Sequence, residues 1–82
     1  MDRMVELKHL IDADKRVAQG AHHMARQEQI VAELDSHGHD ATSALALLDT
    51  FRRCQAGHVA HRDSILRGLQ QHAPQPARST MQ

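Results

Sequence analysis

The chain has no tryptophan, no tyrosine and a single phenylalanine, Phe51. Proline is absent before Pro74, and the one obvious breaker ahead of it is Gly38. The apolar residues are Ala, Leu, Ile, Val and Met, most of them good helix formers. Together these absences argue for an all-α chain with no sheet. One cysteine, Cys54, leaves no internal disulfide, which excludes a small scaffold stapled by disulfides. The N-terminal residues hold no apolar run of signal-peptide length, and no stretch approaches the roughly 20 apolar residues of a membrane span. A soluble, cytoplasmic protein without a membrane partner is expected.

Neither sign of charge is in excess: ten basic residues stand against ten acidic ones. Residues 1–37 carry five Lys/Arg against seven Asp/Glu, and residues 38–82 carry five against three. That asymmetry favours antiparallel contact between the halves. It is too small to imply a nucleic-acid partner. At 82 residues the chain is at most one domain.

What is present is helical spacing on both sides of Ser36-His37-Gly38-His39-Asp40. Gly38 suits the left-handed residue that closes a helix. Asp40 suits the N-cap of the next, accepting from the free amides at Thr42 or Ser43. A helix is predicted over residues 3–36, a turn over 37–40 and a second helix over 41–71, making an antiparallel hairpin over 1–71. Residues 72–82, with two prolines and no periodicity, read as a disordered tail.

In the first helix Leu10, Val17, Met24 and Val31 repeat every seven residues, and Ile11, Ala18, Ala25 and Ala32 form the adjacent line. Leu7, Ala21 and Leu34 widen the stripe. In the second, Ala44, Phe51, His58 and Ile65 form one line and Leu48, Gln55, Arg62 and Leu69 its companion, flanked by Leu47, Cys54 and His61. A seven-residue period implies coiled-coil packing. The predicted core and interface is Leu10, Val17, Met24, Val31, Leu34, Ala44, Leu47, Leu48, Phe51, Ile65 and Leu69, with Phe51 buried. Apolar character fails between Gln55 and Arg62. In an antiparallel hairpin, Met24 is expected opposite Cys54, Gly20 and Ala21 near Gly57 and His58, and Val17 near His61.

Chains of this size rarely gain more than about 3–5 kcal/mol from one core. The stripes are wider than one neighbour can cover. Self-association is expected, most simply two hairpins pairing as a homodimeric four-helix bundle.

Eight histidines raise the question of a metal. Cys54, His58 and His61 lie within about two turns and offer a thiolate and two imidazoles, donors zinc or nickel accept. The plainer reading makes His58 and His61 polar spacers that fix register, and no cofactor is then needed. Arg52, Arg53, Arg62 and Arg67 could form a basic strip for phosphates. With Asp49 and Asp63 among them, a solvated, ion-paired face is the plainer reading. A lone cysteine on a two-helix rod lacks the cavity and oxyanion donors of a nucleophilic site, so no enzyme activity is expected.

The stretch Gly38-His39-Asp40-Ala41-Thr42, then Leu47-Leu48-Asp49-Thr50-Phe51 and His58-Val59-Ala60-His61-Arg62-Asp63-Ser64-Ile65-Leu66, resembles a group of small bacterial helical-hairpin proteins. The resemblance spans about residues 9–69 and implies the hairpin fold without an activity. By architecture the chain is also similar to ROP-like plasmid copy-number regulators, hairpins that pair into four-helix bundles and bind RNA. The function expected is a non-enzymatic, self-associating protein-interaction or regulatory module. An RNA-binding bundle and a metal-binding helical protein are the alternatives.

Overall fold

The computed structural model describes residues 2–72, with side chains through Gln71. The tail expectation falls on residues 73–82, outside the described residues; His72 closes the second helix. Two helices make up the fold, α1 over Arg3–Ser36 and α2 over Thr42–His72, packed on each other as a hairpin.

Each helix end has a chemical cause. Asp2 caps α1, its carboxylate accepting from the Met4 amide at 3.0 Å. At the other end the His39 amide donates to the Leu34 carbonyl at 2.8 Å and the Gly38 amide to Asp35 at 3.1 Å. This is the Schellman pair, and it requires the left-handed residue that Gly38 supplies, with φ 71°. An added Cβ at Gly38 would touch nothing within 4 Å. Gly38→Ala is therefore expected to cost about 1–2 kcal/mol from backbone strain alone. Gly38→Asn should cost less, and the ranking can be read from chemical melts.

α2 starts one residue later than the capping pattern suggests. Ala41, not Asp40, accepts the first helical bond, from the Leu45 amide at 2.8 Å. Asp40 caps from one position further out, accepting from the Thr42 amide at 2.9 Å and the Thr42 hydroxyl at 2.6 Å. The Thr42 hydroxyl, then its amide, hold the Asp40 carboxyl below the usual carboxylate value. A lowered folded pKa gives stability that is present above the unfolded value, about 3.9, and lost as pH falls through the folded one. A carboxyl-carbon NMR titration should place the Asp40 midpoint below that value, and Thr42→Val should raise it.

The seam on α2 consists of Ala44, Phe51, His58 and Ile65 with Leu48, Gln55, Arg62 and Leu69, all partly or fully buried. On α1 it consists of Leu10, Val17, Met24 and Val31, together with Ala13, Gly20, Gln27 and Leu34. The second line is not the apolar one expected: Ile11, Ala18, Ala25 and Ala32 are exposed, as are Leu7 and Ala21. One residue turns a helix by about 100°, whereas three residues turn it to about 60° on the other side. The helix thus lays a line containing Gly20 and Gln27 against its neighbour and leaves a more apolar line uncovered. Leu47 is exposed too, and Phe51 is only half-buried, its ring 6.1 Å from that of His23.

The register also differs from expectation. Gly20 lies against Gln55 rather than Gly57, and His23 rather than Met24 borders the cleft beside Cys54, its ring near that of Phe51. Gly57 faces open space, so the two glycines form no shared waist.

Candidate functional site

Little apolar area is hidden by this hairpin. Among the described residues the buried apolar side chains are Ala13 (1% exposed), Leu48 (3%) and Leu69 (6%), and no large side chain is fully buried. Much of the remaining seam is polar, and its polar groups are arranged. Gln27, 6% exposed, donates its amide across the gap to the Ala44 carbonyl at 2.9 Å. Gln55 returns the arrangement from α2, donating to the Val17 carbonyl at 2.8 Å.

Each glutamine lies over a small residue. An added Cβ at Gly20 would overlap the Gln55 amide oxygen, which is buried and has no hydrogen-bond partner. Gln27 reaches the main chain of α2 beside the short side chain of Ala44. A long polar group opposite a small one fills the space and fixes the levels of the two helices. Sliding either helix would leave a buried amide unpaired, at about 1–3 kcal/mol each. Gln27 and Gln55 thus tie the two helices at these levels, in the way buried polar residues do in coiled coils.

Arg62 extends this layer. Its guanidinium is 3.0 Å from Asp63 and 3.7 Å from Asp14 on α1. Arg52 reaches Glu28 on α1 at 3.8 Å, and Arg53 pairs with Asp49 at 3.3 Å. Half-exposed pairs of this kind contribute about 0–1 kcal/mol each. Arg52, Arg53 and Arg62, read with Arg67 as a phosphate strip, are thus engaged by carboxylates. They also point different ways: Arg62 into the seam, Arg52 toward α1 on one side, Arg53 outward. The strip does not assemble on one hairpin.

The metal candidates are not brought together either. Among the described residues no group of three His, Cys, Asp or Glu side chains is placed to hold a metal ion. Cys54 is exposed, His58 half-buried and His61 exposed. The imidazole of His23 on α1 lies near them, and it completes no such group. Cys54 and His58 instead border a shallow cleft with Gly20, His23, Phe51 and Gln55.

No protein-family model, curated protein or solved structure matches the chain. The resemblance to small bacterial hairpins and the architectural likeness to ROP-like regulators therefore bring no activity or residue role. No helix among the described residues is long and apolar enough to cross a membrane.

What remains is a bare side. Met4 is 72% exposed, Ile11 56% and Leu45 50%, and Leu7 and Leu66 are exposed as well. The Arg52–Glu28 pair shows which flanks of the two helices adjoin. Stepping by seven from Glu28 gives Leu7, Asp14 and Ala21; stepping from Arg52 gives Leu45, Val59 and Leu66. The uncovered line Met4, Ile11, Ala18, Ala25 and Ala32 runs beside them. These positions make one continuous, mostly apolar side of the hairpin. Its opposite side carries Arg16, His23, Ile30, Leu47, Cys54 and His61, with Leu47 exposed as well. Sequence spacing names the apolar line but misplaces it, as seam rather than outer surface. Gln27 gives no apolar signal, although it lies seven residues from both Gly20 and Leu34.

Proposed function

We propose that the chain is a non-enzymatic helical hairpin that self-associates, most simply as a homodimeric four-helix bundle, and serves as a protein-interaction or regulatory module in the cytoplasm. The observation that carries this reading is the mismatch between what the hairpin buries and what it leaves open. The hairpin buries only Ala13, Leu48 and Leu69 among its described apolar side chains, while Met4, Leu7, Ile11, Leu45 and Leu66 stay exposed. A row of exposed apolar side chains on a small protein supports a contact site.

The polar seam fits the same role. Gln27, Gln55 and Arg62 add little net stability, but they hold the hairpin in one register. A fixed register gives the outer surface one shape to present. Sedimentation equilibrium supplies the test. A mass near twice 9.2 kDa at micromolar concentration is the expected result. A single-chain mass up to millimolar concentration, with helicity unchanged, contradicts the reading.

A further inference from the structure

We draw no further inference here: the strongest candidate, the apolar side of the hairpin formed by Met4, Leu7, Ile11, Leu45 and Leu66, carries nothing beyond the self-association already proposed, because nothing in the structure shows what covers it.

Discussion

Leu48→Ala is expected to cost about 2–5 kcal/mol, the range for emptying a buried leucine site. Leu48 is 3% exposed and, with Leu69, one of the two large apolar side chains buried in the described hairpin. A fold of this size has little stability to lose, so the variant should be largely unfolded at 25 °C by circular dichroism. Phe51→Ala should cost less than Leu48→Ala, because its ring is half-exposed beside His23. If Phe51→Ala proves the more damaging in the same denaturant series, the seam has been assigned to the wrong residues.

Gly20→Ala is expected to destabilise the natural chain and to stabilise one lacking the Gln55 amide. In the natural chain the new methyl displaces Gln55 from its place over Gly20 and breaks its bond to the Val17 carbonyl. That costs about 1–3 kcal/mol, against about 1 kcal/mol gained by removing a mid-helix glycine. The net loss reaches about 2 kcal/mol at the upper end of that range. In a Gln55→Ala background only the gain survives, about 1 kcal/mol. Gly57 is the control: it faces open space, so Gly57→Ala should stabilise both backgrounds alike, by about 1 kcal/mol. A double-mutant cycle reads the coupling directly. Equal effects of Gly20→Ala in both backgrounds would show that Gln55 does not lock the register.

The hairpin and its turn were legible in the sequence because they rest on local chemistry. Gly38 is needed for its positive φ, and Asp40 for an acceptor near the free amides of α2. The seam of α2 was legible too, since its lines of seven run through Leu48, Phe51, Ile65 and Leu69. The seam of α1 was half legible. Leu10, Val17, Met24 and Val31 stand out by apolarity, and their true companions Ala13, Gly20 and Gln27 do not. Packing there follows shape and hydrogen bonding: a small residue is chosen where a glutamine must cross, and a glutamine where its amide meets a carbonyl.

The apolar line through Ile11 and Ala18 pointed the wrong way for the same physical cause. Hydrophobic spacing reports that a face will be covered, without saying by which helix. The hairpin's own contacts are settled by Gln27 and Gln55, and the more apolar line is left outside. The ligand-like spacing of Cys54, His58 and His61 misleads too. The three share one face of α2, but Cys54 and His61 are exposed and no three donors among the described residues are placed to hold a metal ion.

Thermal melting followed across about a hundredfold range of protein concentration tests the central claim most directly. Folding tied to association makes the midpoint rise with concentration, and that rise is the predicted result. A sharp midpoint that stays fixed over the whole range, with full helicity below it, would show that the hairpin stands alone and would contradict the account.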